Sequence, residues 1–249
     1  MFNHTEIQGQ WPTADRFVLA SCDSVYFDQF ADRFVKSFHK RLGMPIHLHL
    51  INPTQSQIDM CGTWQITHTA NHINPQEFRD KVQLCKNKFE HTDEVSERSV
   101  LWGFCQAIRF WLVGQYQTKQ QTVIVSDIDS AAVQTPSAVQ TAELLARTQF
   151  SVYNNRIMAT FCVFSGKQLA LAKAISQWIE QYDQTFTIHN GVDQTALKKC
   201  ISHPNILPAG WISHIDTKNK KAIKIKINNN IVFHSKGTRG KTIDLSAYL

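Results

Sequence analysis

Thr122-Val123-Ile124-Val125-Ser126-Asp127-Ile128-Asp129 combines a β-branched apolar run with two closely spaced acids. A run such as residues 122–126 suits a strand buried on both faces, the usual condition of a central strand in a parallel sheet. Asp127 and Asp129 then stand where that strand leaves the sheet, the edge at which open α/β folds receive their ligands. Two carboxylates held by a strand end can share one hard divalent cation. An Asp-x-Asp triplet alone is equally compatible with a solvated turn or a helix cap. Its position after the buried run is what singles it out.

Upstream, residues 16–21 (RFVLAS) read as a short buried strand that enters a polar turn at Cys22-Asp23-Ser24. A helix follows, with Tyr26, Phe27, Phe30, Phe34, Val35, Phe38 and Leu42 at helical spacing and Gly43 and Pro45 as its stop. Residues 46–52 (IHLHLIN) alternate apolar and polar and mark a second strand. Strand, helix, strand is the opening of a parallel sheet. A less regular region follows, with a strand read at residues 63–69. The spacing of Leu101, Phe104, Ile108, Trp111 and Leu112 predicts an amphipathic helix over residues 96–116 that delivers the chain to the 122–126 strand.

Downstream come a strand at residues 157–164, a helix over 166–182 carrying Ile175, Trp178 and Ile179, and a short helix after Gly191. Short strands follow at 223–227 and 231–233, and the Lys/Asn-rich stretch 218–230 reads as a loop or hairpin. No repeat or composition break divides the chain, so a single domain over residues 1–249 is expected. Its fold class is α/β, with a mixed, mainly parallel sheet flanked by helices.

With 249 residues and 43% hydrophobic content, the chain can bury a full core. The six cysteines, at 22, 61, 85, 105, 162 and 200, form no CxxC pair and read mostly as core thiols in a reducing, cytoplasmic setting. The N-terminal MFNHTEIQGQWP has neither the basic start nor the apolar run of a signal peptide, and no apolar stretch is long enough to span a bilayer. A net charge of +6 and a pI near 9.0 point to an anionic partner. Much of the excess lies at Lys218, Lys220, Lys221, Lys224, Lys226, Lys236, Arg239 and Lys241. That placement favours a local anion site or a solvated face and allows peripheral contact with the inner face of a membrane. Nucleic acid is not the expected partner, because Phe233 is the sole aromatic among residues 218–241.

Phe233-His234-Ser235-Lys236-Gly237 adds an imidazole able to complete a metal's coordination, next to cations able to hold phosphate oxygens. Taken alone, this segment also reads as an exposed basic tail.

In order along the chain, Asp23-Ser24-Val25-Tyr26, Ala107-Ile108-Arg109-Phe110, Asp127-Ile128-Asp129, Val192-Asp193-Gln194 and His234-Ser235-Lys236-Gly237 resemble the landmarks of GT-A fold glycosyltransferases. The resemblance is greatest to the retaining group that includes glycogenin and the bacterial lipopolysaccharide galactosyltransferases. It implies a metal-dependent donor site for a nucleoside diphosphate sugar, by default a UDP-sugar, without naming the sugar, and a glycan, lipid-linked sugar or protein as acceptor. Asp127, Asp129 and His234 would bind Mn2+ or Mg2+, with Asp127 also near the ribose. Asp23 and Tyr26 would meet the base, Arg109 would hold the donor, and Asp193 with Gln194 would face the sugar and acceptor. The basic segment 214–249 would contribute to the donor site.

Each position also has an ordinary structural reading: Asp23 and Asp193 as helix caps, Tyr26 as a core aromatic, Arg109 as an ion-pair partner. Two departures from the glycogenin-like pattern are visible. Thr238-Arg239-Gly240-Lys241 follows Gly237, which leaves Lys236, Arg239 and Lys241 as alternative phosphate-binding cations. Residues 159–166 lack the asparagine of the Asn-Ser/Thr-Gly turn, which bears on the stereochemical outcome.

Two other function classes compete. An apolar strand before Asp-x-Asp also opens the haloacid-dehalogenase phosphatases, whose first Asp is a nucleophile. Ala131 stands where that motif carries Thr or Val, and 126 residues precede Asp127, whereas that motif opens its chain. A non-catalytic basic module binding nucleic acid or another anion is the third class.

Overall fold

The computed structural model describes residues 6–88, 96–153, 156–185, 191–215 and 230–235. Its centre is a seven-stranded sheet in the order β1-β4-β3-β2-β5-β8-β7. The strands are β1 (Gln8–Gly9), β2 (Arg16–Asp23), β3 (Ile46–Ile51), β4 (Thr67–Asn71), β5 (Thr122–Ser126), β7 (Gln149–Tyr153) and β8 (Arg156–Ser165). β4, β3, β2 and β5 run parallel, while β1, β8 and β7 join antiparallel. A smaller sheet, β6-β10-β9, is built from β6 (Ser130–Ala132), β9 (Ile212–Ile215) and β10 (Val232–Ser235).

Apolar residues on the central strands alternate between two cores. Phe17, Leu19, Val123, Val125 and Phe164 face one side, against α5 (Glu97–Tyr116), α7 (Leu169–Thr185) and α8 (Val192–Cys200). Val18, Ala20, Ile124, Phe161 and Val163 face the other, against α2 (Asp32–Leu42). A strand covered on both faces gains nothing from polar residues, which is why residues 16–21 and 122–126 read as continuous apolar runs. α5 begins with a reciprocal cap between Ser96 and Ser99. It packs closely on α7 at Gly114, where an added Cβ would stand 2.3 Å from Ser176 Cβ.

The helix read from Tyr26 to Leu42 is composite. α1 (Ser24–Tyr26) passes through a π-helical turn, Phe27–Ala31, before α2 and ends on Gly43 in the left-handed conformation. The strand expected at 63–69 forms as β4, Thr67–Asn71, because α3 (Gln55–Thr63) occupies the earlier residues behind a Thr54–Gln57 capping box. α4 (Pro75–Lys88), α6 (Ala138–Leu145), β6, β7 and β9 were not expected from the sequence. The 157–164 strand, the 166–182 helix and the helix after Gly191 form within a few residues of their expected bounds. The expected 223–227 strand and residues 218–229 of the Lys/Asn-rich stretch lie outside the described residues. All six cysteines are free thiols, five of them buried and Cys200 partly so. No helix among the described residues is long and apolar enough to cross a membrane.

β3 keeps its alternating sequence yet is buried throughout. Its polar face is a hydrogen-bonded ladder. The His47 ring nitrogens lie 2.9 Å from both Thr67 Oγ1 and Thr69 Oγ1, and those of His49 lie 3.0 Å from Thr69 Oγ1 and 2.8 Å from Asn71 Oδ1. Burial pushes His47 down to about 3, with the neighbouring His49 adding to the effect. It pushes His49 down to about 4, against the bond from Asn71.

An unfolded chain protonates both rings near their ordinary value of 6.5, whereas the folded chain does not until well below it. Stability is therefore complete above pH 6.5 and lost as pH falls towards 4. We expect the two rings to remove about 4 kcal/mol between pH 6.5 and 4.5. Urea denaturation across this range should give a slope that His49→Gln roughly halves. An unchanged slope in that variant would contradict a neutral buried ladder.

Candidate functional site

The acidic pair sits where the sequence placed it, at the end of a strand parallel to its neighbour β2. Asp127 still pairs with the sheet, its N–H donating to the Thr160 carbonyl at 2.9 Å, and the chain then turns, Ser130 N–H donating to the Asp127 carbonyl at 3.1 Å. β6 follows at once, and β10 lies antiparallel to it with His234 opposite Ser130. This register carries an imidazole from the far end of the chain to the turn. His234 Nε2 is 3.3 Å from Asp127 Oδ2 and 3.5 Å from Asp129 Oδ1. The turn is held from behind by α2: Arg33 Nη2 donates to the Asp129 carbonyl at 2.9 Å, and Ser37 Oγ accepts from Ala132 N–H at 3.1 Å.

One ligand atom from each of Asp127, Asp129 and His234 falls within 4.8 Å of the other two. Ligands on adjacent corners of an octahedron with bonds of about 2.1–2.3 Å stand about 3 Å apart, so the set suits one divalent ion. The two carboxylates supply the oxygen ligands that hard divalent cations prefer, and the imidazole adds one nitrogen. Burial works against a charge on His234, but its bonds to Asp127 and Asp129 raise it to about 9. Burial would likewise raise Asp127; Arg109 and His234 outweigh it and hold the carboxyl well below the usual carboxylate range.

Arg109, on α5, is buried between two acids. It pairs with Asp127 and, at 3.2 Å, with Asp193 Oδ2. Burial disfavours its charge, and the two carboxylates more than restore it. Asp193 is raised by burial despite Arg109. The alternative reading of Asp193 as a helix cap does not hold: Gly191 is the N-cap of α8, and Asp193 Oδ1 accepts from Gln194 N–H at 2.7 Å inside the first turn. The Gln194 carboxamide bridges β8 once its O and N are assigned so that both are satisfied: the nitrogen then donates to the Ile157 carbonyl at 2.8 Å and the oxygen accepts from Ala159 N–H at 2.5 Å. Asp23 does cap α1, accepting from Tyr26 N–H at 2.8 Å. Tyr26 is half-buried and packs against Phe30 and Trp102.

A cleft of about 870 Å³ joins these groups. Asp23, Tyr26, Arg109, Asp127, Asp129, Asp193, Gln194 and His234 all line it, so eight of the eleven sequence-read positions converge. Lys236, Arg239 and Lys241 lie outside the described residues. Sequence reasoning missed Arg98, Trp102, Gln106, Met158 and Thr160 in the wall. Arg98 and Gln106 share a face of the mainly apolar α5 with Arg109, a signal that could have found them.

No protein-family model matches the sequence, and no curated protein matches it. Solved structures do resemble it. The galactosyltransferase LgtC in complex with donor and acceptor sugar analogues aligns with a TM-score of 0.54 and 12% identity, over 94% of this chain and 91% of that one. An active-site mutant of LgtC aligns at 0.55 and 12%, over 93% and 92%. The bifunctional glycosyltransferase WbbM, in its apo form, aligns at 0.50 and 12%, over 92% of this chain and 47% of that one. The shared architecture is the GT-A fold.

Proposed function

We propose that this protein, which has the GT-A glycosyltransferase fold, is a metal-dependent transferase that moves a sugar from a nucleoside diphosphate donor, by default a UDP-sugar, to a glycan, lipid-linked sugar or protein. The observation that carries the reading is the convergence of Asp127, Asp129 and His234 in one cleft at the end of a parallel strand. Mn2+ or Mg2+ held by these three residues would supply a Lewis acid for the negative charge that builds on the diphosphate as the glycosidic bond breaks. Arg109 braces both Asp127 and Asp193, and its guanidinium adds positive charge beside the leaving group. Asp23 and Tyr26 bound the end of the cleft that takes the base. Asp193 and Gln194 bound the end that takes the sugar, their side chains fixed by Arg109 and β8 respectively. Lys236, Arg239 and Lys241 are the cations available to the departing phosphates. Retention of configuration at the anomeric carbon completes the reading, and NMR of the first-formed product tests it. The phosphatase reading asks Asp127 to attack as a nucleophile, a task ill suited to a carboxylate clamped by Arg109 and His234.

The test is thermal stability with a panel of nucleoside diphosphates, with and without Mn2+, in the native protein and in Asp129→Ala. A ligand confined to the folded state raises the melting temperature. Stabilisation by one nucleotide that requires both Mn2+ and Asp129 supports the reading. A folded protein indifferent to every nucleotide refutes it.

The site's electrostatics add a pH dependence. His234 keeps its proton to about 9 beside two carboxylates, and a cation must displace that proton. Mn2+ affinity should therefore rise about tenfold per pH unit between pH 6 and 8, read by electron paramagnetic resonance. A flat profile would remove His234 from the ligand set.

A further inference from the structure

At the end of the cleft assigned to the sugar, Asp193 and Gln194 already have partners for their side chains. Asp193 is held by Arg109 and the Gln194 N–H, and the Gln194 carboxamide by the β8 backbone. The same strand supplies a polar group that is not engaged. Thr160 of β8 lines the cleft and is only 3% exposed, yet among the described residues its hydroxyl has no hydrogen-bond partner. Unlike the Ser130 hydroxyl, which is sealed without a partner, it keeps access to solvent, and the cleft is what it lines. Its place is fixed from two sides. β8 runs antiparallel to β5 with Phe161 opposite Ser126, and the next step of the ladder sets Thr160 opposite Asp127, whose N–H donates to the Thr160 carbonyl at 2.9 Å. Residues opposed in this way share a face, with Cβ atoms about 5 Å apart. On the other side the preceding residue, Ala159, gives its N–H to Gln194. Thr160 thus stands between a carboxylate of the cation site and the residues assigned to the sugar.

We propose that Thr160 is a specificity-determining residue of the donor site, its hydroxyl bonding one hydroxyl of the transferred sugar. This inference rests on the transferase reading. A donor whose diphosphate lies at Asp127, Asp129 and His234 carries its sugar directly on the phosphate, within reach of the residue opposite Asp127. A threonine hydroxyl both donates and accepts, so it can pair with a sugar hydroxyl in either sense. Buried hydroxyls ordinarily find a partner, and one left open in a cleft wall is completed by what the cleft binds. A site that commits such a group to a substrate hydroxyl discriminates against the sugar lacking it, because the protein group is then left unpaired.

The experiment is calorimetric titration of the full chain with Mn2+ present, using UDP, a panel of UDP-hexoses and UDP-N-acetylhexosamines, and singly deoxygenated forms of whichever sugar binds most tightly. In the native protein one deoxygenated form should bind about fivefold more weakly than its parent. Thr160→Val exchanges the hydroxyl for a methyl of similar size. It should weaken the parent sugar about fivefold, bind that deoxygenated form as well as the parent, and leave UDP affinity unchanged. Its melting temperature without ligand should not fall, since no bond within the protein is lost. Thr160→Ser, which keeps the hydroxyl, should keep the native ranking. Equal affinity of native protein and Thr160→Val for the parent sugar, or the same discrimination among deoxygenated forms in both, overturns the proposal while UDP binding keeps the transferase reading intact. A matching loss of UDP affinity in Thr160→Val also overturns it, because the residue would then act on the cation site through Asp127. Failure of the native protein to bind UDP defeats the transferase reading and the role of Thr160 together.

Discussion

Asp127→Asn will lower kcat by on the order of a thousandfold, and the folded variant will lose the Mn2+-dependent melting shift with nucleotide. The substitution keeps the shape of the side chain and removes the charge, so its effect isolates electrostatics from packing. Three groups depend on that charge: the cation's donor set, the Arg109 guanidinium and the His234 ring. The loss should fall on kcat more than on KM, because the interaction strengthens as negative charge develops on the leaving diphosphate. Steady-state release of nucleoside diphosphate measures it. A loss below tenfold would mean that the transition state does not use this carboxylate.

Arg109→Ala will destabilise the protein by about 3–5 kcal/mol, because it strands a buried acid without its counterion. For a chain of this length that amounts to a fall of about 10 °C in melting temperature. Asp193 is 3% exposed and already raised by burial, so without Arg109 it must take up a proton or remain an unpaired charge. The sign can be checked with a second substitution. Asp193→Asn in the Arg109→Ala background should recover part of the loss, since it removes the stranded charge. Urea denaturation of the native protein, both single variants and the double variant reads the coupling. Strict additivity would show that the ion pair does not act as a unit.

Much of this architecture could be read in the sequence because the relevant signals are local. A β-branched run ending on Asp127 and Asp129 describes a buried strand and its exit without reference to anything distant. The helices over 26–42 and 96–116 were likewise legible from periodicity. What escaped was set by tertiary pairing. β6 is three residues long and exists because β10 pairs with it, a partnership that spans about a hundred residues of chain. His47 and His49 are the polar positions of an alternating strand, and the Thr67, Thr69 and Asn71 side chains of β4 make their burial tolerable. The π-helical turn at Phe27–Ala31 leaves no periodic trace that distinguishes it from an ordinary helix.

The site shows the same division. Asp127, Asp129 and His234 were named from motif and order, and the β6–β10 register explains why residues so far apart meet. Arg109 was read both as a donor contact and as an ion-pair partner, and its geometry accommodates both readings: it pairs with two acids on the cleft wall. Arg33 went unnoticed because a backbone carbonyl, which carries no sequence signature, is its partner at the Asp129 turn.

The most direct measurement is anomalous X-ray scattering at the manganese edge from crystals grown with Mn2+ and UDP. The account predicts one strong peak in contact with Asp127, Asp129 and His234, with the diphosphate on its open side. A nucleotide bound in the cleft with no manganese between those three residues, or manganese bound elsewhere, would contradict it.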